Sequence, residues 1–133
     1  MQNILSIGLT EAKAILSEAR TKAEAEGWPV AIAVLDAGGH LVLLERADGT
    51  QLGSIQVAQN KARTALLFKR PSKALEDVVL SGKAHMAQLT GALPIEGGLP
   101  IVSDGQIVGA IGVSGVQSFQ DGIVAAAGVA ALA

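Results

Sequence analysis

The stretch LPIVSDGQIVGAIGVS, residues 99–114, decides the fold of this chain. Two apolar runs flank the dipeptide Asp104-Gly105, which is a strong signal for a tight type I′ turn. We therefore predict a β-hairpin with strands Leu99–Ser103 and Gln106–Ser114.

A second hairpin is predicted upstream, with strands Val30–Asp36 and His40–Arg46 joined by the turn Ala37-Gly38-Gly39. The apolar run of its first strand leaves neither face polar. Both faces of that strand should therefore be covered by other parts of the protein.

Four segments have the apolar spacing of helices, in which residues three and four apart share a face. The first helix should begin at the capping residue Thr10, end at Gly27 and turn polar residues such as Arg20 to water. The third should begin at Ser72, and Ser118 resembles a cap before the fourth. The predicted helices are Thr10–Glu26, Gly53–Phe68, Ser72–Leu80 and Gly122–Ala133.

The order of these elements is helix, hairpin, helices, hairpin, helix, with a helical turn and a loop predicted over His85–Glu96. Adjacent hairpins imply an antiparallel sheet, and the helices must cover at least one of its faces. We predict a single α+β domain over residues 1–133 and not a doubly wound parallel sheet.

Composition excludes several classes of protein. Half of the 133 residues are hydrophobic and 17% are charged, which excludes intrinsic disorder. The absence of cysteine excludes zinc fingers, iron–sulfur ligation and a cysteine nucleophile. A net charge of −2 and 2% aromatic residues do not favour nucleic-acid binding. No uninterrupted apolar segment reaches ~18 residues and no signal peptide is recognisable, so we expect a soluble, cytoplasmic protein without a membrane span.

Many of the apolar residues are Ala, Gly and Val, and few are large. Such a core depends on close approach of backbones, and a small apolar domain often hides part of its surface in an oligomer. In the last strand, alternation places Ala110, Gly112 and Ser114 on one nearly bare face. Either a packed helix or a flat ligand could approach this face, and the packed helix is the more frequent case. The glycine spacing matches neither a dinucleotide fingerprint nor a P-loop.

Charged residues give a second candidate site. Arg46 ends a strand, and Lys61 and Thr64 share a helical face bordered by Val57 and Phe68. A cation and a hydroxyl beside apolar side chains suit an amphiphilic ligand with a carboxylate. The alternative is a solvated face on which Lys61 extends to water. His40 is either a residue at the hairpin edge or a lone axial haem ligand.

The order of several short motifs resembles the GlcG/HbpS-like family, which includes the C-terminal domain of PduO. Each motif is weak alone, but together they run from the first helix to the last. They are Asp36-Ala-Gly-Gly-His-Leu-Val, Glu45-Arg-Ala-Asp-Gly, Lys61-Ala-Arg-Thr-Ala, Gly97-Gly-Leu-Pro-Ile, Gly109-Ala-Ile-Gly-Val-Ser-Gly and Gln120-Asp.

The resemblance implies a profilin-like antiparallel sheet of about five strands with helices packed on it. It also implies dimers and higher assemblies up to octamers, and some relatives bind haem or carry a haem-degrading label. By the same resemblance, Thr64 would lie near the haem iron and Lys61 near a propionate. Other relatives use a histidine on the first helix, where this chain offers Ser17 and Thr21.

We therefore predict a homo-oligomeric protein that binds haem, a related tetrapyrrole or a small carboxylated metabolite. The predicted site combines Arg46, Lys61, Thr64, Gly112 and Ser114, with Thr64, or alternatively His40, as iron ligand. One alternative is a small metabolic enzyme in which Arg46 or Lys61 holds a carboxylate and His40, Asp48 or Asp121 acts as acid or base. The other is an assembly subunit that binds no ligand.

Overall fold

The computed structural model describes residues 1–132 and contains four helices longer than two turns and four strands. Two short 3₁₀ helices complete it, and the predicted end of the last helix at Ala133 lies outside the described residues. The elements are α1 (Leu9–Glu26), β1 (Ala31–Asp36), β2 (Leu41–Arg46), α2 (Ser54–Phe68), α3 (Ser72–Leu80), a 3₁₀ helix (Ala84–Gln88), β3 (Gly98–Ser103), β4 (Gln106–Ser114), α4 (Ser118–Val129) and a 3₁₀ helix (Ala130–Leu132).

Both predicted hairpins form, and they join through β1 and β4 into one antiparallel sheet of order β2-β1-β4-β3. The sheet has four strands in residues 1–132, so the expectation of about five was one strand too many. The N-terminal segment only approaches the sheet: the Ile7 N–H donates a 3.0 Å hydrogen bond to the Val108 carbonyl without forming a strand. The α+β class is confirmed.

Helices cover both faces of the sheet, as the apolar β1 strand required. On one face, α1 and α4 pack on the larger aliphatic side chains of the strands, including Ile32, Val34 and Ile111. On the other face, α2 lies across β1, β3 and β4 and meets mainly alanine and glycine. No helix within residues 1–132 is both long and apolar enough to cross a membrane.

Backbone contact explains the bare face of β4. A Cβ added to Gly112 would lie 1.9 Å from the Ala58 carbonyl oxygen, and one added to Gly98 would lie 2.0 Å from the Lys61 carbonyl oxygen. Contacts this short leave no room for a side chain. Of the two alternatives given above for this face, a packed helix or a flat ligand, the structure shows the packed helix, because the backbone of α2 covers Gly112.

The tight turn of the second hairpin is confirmed, since Asp104 and Gly105 have φ of 50° and 72°. Gly27 ends α1 in the left-handed conformation, with φ of 73°, as predicted. Helix α2 stops two residues before Pro71, at Lys69, which also adopts the left-handed conformation. The turn at Asp104-Gly105 and the helix end at Gly27 were thus correctly predicted from the glycine residues.

The predicted helix caps were wrong because their side chains have other partners or positions. Gly8 precedes α1, and the Glu11 carboxylate accepts a 2.8 Å hydrogen bond from the Gly8 N–H, so Thr10 lies inside the first turn. Helix α4 begins four residues earlier than predicted, at Ser118, after the capping residue Gln117.

Ser72 is the first residue of α3 instead of its cap. Its hydroxyl donates to the Ile95 carbonyl at 2.6 Å and accepts from the Gly98 N–H at 2.9 Å. This fully buried hydroxyl therefore ties α3 to the start of β3.

Candidate functional site

Lys61 is sealed inside the protein. Its ammonium donates to the Asp121 carboxylate at 3.1 Å and to the Val113 carbonyl at 3.1 Å. The Lys61 and Asp121 side chains are only 3% and 2% exposed. Lys61 therefore neither extends to water nor faces an open cavity, and it joins α2 to β4 and α4.

The electrostatics of this pair follow from its burial. Loss of water around the carboxylate raises the pKa of Asp121, while the Lys61 ammonium and the Val116 and Gly115 N–H groups act in the opposite direction. A buried ion pair of this kind gives little net stability but becomes costly when one partner is removed. Its clearest consequence is positional, because it orients α4 against the end of β4.

Thr64 is also fully buried. Its hydroxyl donates to the Asn60 carbonyl at 2.7 Å and accepts from the Leu93 N–H at 2.8 Å. The residue thereby fastens the loop before β3 to α2. Its role as an iron ligand stays a prediction, and it would require this hydroxyl to become accessible.

The remaining predicted residues divide between the core and the edge. The Ser114 hydroxyl lies beneath α2 and donates to the Ser54 hydroxyl at 2.9 Å. Arg46 is exposed on the outer strand, where it shares a row with Ala31 and Ser114. His40 is 83% exposed beyond the first hairpin turn, with Nδ1 3.5 Å from the Asp36 carboxylate. The structure thus packs Lys61 of α2 against the strand that carries Gly112 and Ser114, and leaves Arg46 and His40 outside.

An open groove lies on the opposite face of the sheet, between α1 and the outer strand β2. Its volume is about 450 Å³, within the range of small-molecule sites. We call it the α1–β2 groove, and it is lined by Lys13, Leu16, Ser17, Arg20, Leu43, Leu44 and Glu45.

Helical spacing creates one wall of the α1–β2 groove. Leu16 and Ser17 lie three and four residues after Lys13 and four and three residues before Arg20, so all four share one side of α1. Leu16 is buried at the floor, whereas Lys13 and Ser17 are exposed. The second wall exists because β2 is the outer strand of the sheet, with no further strand beside it in residues 1–132.

An ion pair crosses this groove. The Arg20 guanidinium holds the Glu45 carboxylate through two hydrogen bonds, of which the one from Nε measures 2.6 Å. The Arg20 hydrogen bonds hold the pKa of Glu45 below its ordinary value. Both side chains keep more than a third of their surface exposed, at 41% and 36%, so water screens the pair.

The groove combines an apolar floor with two cations and a free-standing hydroxyl. Leucine side chains can contact a flat apolar body, and Lys13 and Arg20 can pair with carboxylates. Within residues 1–132, no group of three or more His, Cys, Asp or Glu side chains is placed to hold a metal ion. The chemistry of the groove is therefore that of a binding site for an amphiphilic anion.

Sequence reasoning missed most of this groove because it assigned Arg20 and its polar neighbours on α1 to water. The signal was present in the stepwise spacing of Lys13, Leu16, Ser17 and Arg20. Only Ser17 was considered, as a substitute for the first-helix histidine of some relatives. The partner strand could not be identified from spacing, because β2 follows α1 only after an intervening strand.

Comparison with known proteins shows similarity over most of the chain. The family model described as "Haem degrading protein HbpS-like" matches residues 7–130. Protein GlcG of Escherichia coli (strain K12) is 43% identical over 103 residues, which cover 77% of this chain and 77% of that protein.

Solved structures agree with this assignment. A crystal structure of HbpS superposes with a TM-score of 0.91 at 30% identity, over 100% of this chain and 94% of that one. The crystal structure of a PduOC:heme complex superposes with a TM-score of 0.86 at 26% identity, over 96% of this chain and 95% of that one. The resemblance read from the motifs is confirmed, and the chain belongs to the HbpS-like family.

Proposed function

We propose that this chain binds haem or a related carboxylated tetrapyrrole in the α1–β2 groove. The observation that carries the proposal is the groove itself: about 450 Å³ with a leucine floor and two cationic side chains. The family description and the haem-bound PduOC structure support the choice of ligand.

The residues of the groove fit a porphyrin. Its flat ring would contact Leu16 and Leu43, and its propionates would pair with Lys13 and Arg20. When bound, haem supplies a redox-active iron. Ser17 is the hydroxyl of α1 that lines the groove, and a neutral hydroxyl binds iron more weakly than an imidazole does. We therefore expect affinity to come from apolar contact and carboxylate pairing.

A rival location for the same ligand is the predicted site of Arg46, Lys61, Thr64, Gly112 and Ser114. Binding there would require α2 to lift from the sheet, because Lys61 and Thr64 are buried on the inner side of α2 and Gly112 and Ser114 lie beneath it. The α1–β2 groove needs no such opening, and for that reason we favour it.

The proposal is tested by titrating the purified protein with hemin and following the Soret absorption band. We expect a saturable shift in the wild type and an affinity about two- to fivefold lower in Lys13→Ala, the effect of one exposed ion pair. Absence of a saturable shift in the wild type would overturn the proposal.

A gain of function locates the site more sharply. Ser17→His would place an imidazole in the groove, so we expect tighter binding and a narrower, more intense Soret band. Glu18→His is the matched control, since Glu18 is equally exposed but turned about 100° around the helix, away from the groove. Equal spectra for the two variants would place the ligand elsewhere.

We also propose that the chain acts as a homo-oligomer, from dimer to octamer. The support is the number of large apolar side chains left exposed, which include Leu44 on β2 and Phe119 and Ile123 on α4. Mass photometry at micromolar and nanomolar concentrations tests this, and a monomer at both would contradict it.

A further inference from the structure

A second, smaller cavity adjoins the α1–β2 groove, and the Arg20–Glu45 ion pair lines both. The second cavity has a volume of about 200 Å³ and contains the indole of Trp28. Because Arg20 and Glu45 appear in both linings, the ion pair forms the partition between the two cavities. Ala23, Val30 and Ile32 also line the second cavity.

We propose that Glu45 is an internal competitor for the carboxylate of the ligand, and that a bound carboxylate replaces it on Arg20 and joins the two cavities. This inference rests on the proposed binding function of the α1–β2 groove. It assigns Glu45 as the group that a ligand carboxylate displaces from Arg20 and that a neutral ligand leaves in place.

The geometry of the pair supports an exchange of carboxylates. Glu45 occupies Nε and Nη2 of Arg20, the two parallel donors that an incoming carboxylate would use. An amide, ester or hydroxyl is uncharged, so it cannot replace the negative charge of Glu45 beside the Arg20 guanidinium. A neutral ligand therefore has no means of displacing Glu45.

Because the ion pair is partly exposed to water, exchanging one carboxylate for another costs little free energy. The Arg20 and Glu45 side chains are 41% and 36% exposed, so the displaced carboxylate can be solvated without crossing the protein interior. The buried Lys61–Asp121 pair, at 3% and 2%, has no such route.

Charge also sets the direction in which a ligand enters. Glu24 and Asp48 line the far side of the second cavity, where a second carboxylate would be repelled. Lys13 lies in the groove on the other side of the partition. A dicarboxylated ring would therefore keep both carboxylates toward Lys13 and Arg20 and turn its apolar edge to Trp28.

The test removes the competitor and compares it with a matched ion pair. In Glu45→Gln we expect hemin to bind about two- to fivefold more tightly, because the ligand no longer competes for Arg20. Glu26→Gln is the control: Glu26 also pairs with a cation of α1, Lys22 at 3.0 Å, with a similar 41% exposure. Hemin affinity of this control should equal that of the wild type.

A second ligand checks that the carboxylate is responsible. With the dimethyl ester of hemin, Glu45→Gln and wild type should bind equally, since the ester cannot take the place of Glu45. Quenching of Trp28, the one tryptophan of the chain, provides a readout for both ligands.

The outcomes separate this inference from the function on which it rests. Saturable hemin binding with equal affinity in Glu45→Gln and Glu26→Gln would overturn the inference and leave the proposed function intact. An equal gain with hemin and its diester would also overturn it. No saturable binding in wild type, Ser17→His or Glu45→Gln would overturn both.

Discussion

The two faces of the sheet differ in the size of their side chains and in what the difference allows. Along β4, Ile111 and Val113 point to α1 and α4, whereas Ala110, Gly112 and Ser114 point to α2. Small residues let α2 lie directly on the strand backbone, and the side chains of Lys61, Thr64 and Ser114 are enclosed there. On the face covered by α1 and α4, the α1–β2 groove stays open beside the outer strand.

Two ion pairs of the domain differ in burial, and burial decides the role of each. Lys61–Asp121 is enclosed and joins three elements, so it can only be kept or broken. Arg20–Glu45 is reached by water, so its partners can be exchanged. The comparison teaches that a pair of a cation and a carboxylate is fixed where it is enclosed and can exchange partners where water reaches it.

The largest expected effect comes from breaking the enclosed pair. Asp121→Ala should lower the free energy of unfolding by about 3–5 kcal/mol, because the Lys61 ammonium is left buried without a counter-charge. Urea denaturation followed by circular dichroism measures the loss.

The double variant Lys61→Met with Asp121→Leu is the control for this prediction. It removes both charges together, so much of the lost stability should return. A loss below about 1 kcal/mol in Asp121→Ala, the value typical of an exposed pair, would show that burial does not distinguish the two pairs.

The next largest loss of stability is expected from adding a side-chain atom where α2 contacts β4. Gly112→Ala should cost about 3 kcal/mol, since its Cβ would overlap the Ala58 carbonyl and the helix must move away. Gly53→Ala is the matched control, because Gly53 has helical φ and ψ of −60° and −25° and open space around it. Equal melting temperatures for the two variants would contradict the packing described for α2.

A smaller effect is expected at Thr64. Thr64→Val keeps the shape but leaves the Leu93 N–H without its acceptor, which should cost about 1–2 kcal/mol in the free energy of unfolding. Thr21→Val, an exposed change on α1, should be nearly neutral.

Thr64→Val also sharpens the choice between the two faces as ligand site. If hemin binds in the α1–β2 groove, the affinity of folded Thr64→Val should equal that of the wild type. A selective loss of hemin affinity in this variant would move the ligand to the α2 face.

The smallest expected effect is a pH dependence. Arg20 lowers the folded-state pKa of Glu45 below the ordinary value of 4.5, so the pair contributes stability above that pH. This contribution is lost as the pH falls through the lowered pKa, and we expect it to be under about 1 kcal/mol. Free energies of unfolding of wild type and Glu45→Gln, measured from pH 7 downward, should therefore converge in acid.

The contribution of Asp121 to stability changes with pH in the opposite direction. Its folded-state pKa is raised above the ordinary value of 3.8, so its contribution to stability is greatest below that pH and falls as the pH rises through the raised value. A pH profile of the same sign for Glu45→Gln and Asp121→Ala, each compared with wild type, would contradict the contrast between the two pairs.

The parts of the fold that depend on neighbouring residues were accessible from the sequence. Asp104-Gly105 specifies its turn because both residues tolerate positive φ, and Gly27 ends its helix for the same reason. Alternation correctly separated the two faces of β4, since the strand period is a local property. Helix caps were less accessible, because Ser72 bonds to residues more than twenty positions away.

The site was less accessible than the fold. The sequence shows that Lys61 shares a helical face with Thr64, but not that it meets Asp121, a residue 60 positions away. The α1–β2 groove likewise joins residues of a helix and an edge strand whose approach no spacing rule describes.

By itself, then, the sequence determined the two hairpins, the helices and the family, because turn chemistry and periodicity act over a few residues. The tertiary structure alone decided which charges are enclosed and which remain open to water. The physical reason is that desolvation depends on everything packed around a group, so a lysine and an arginine of equal charge acquire different roles only when the sheet and helices come together.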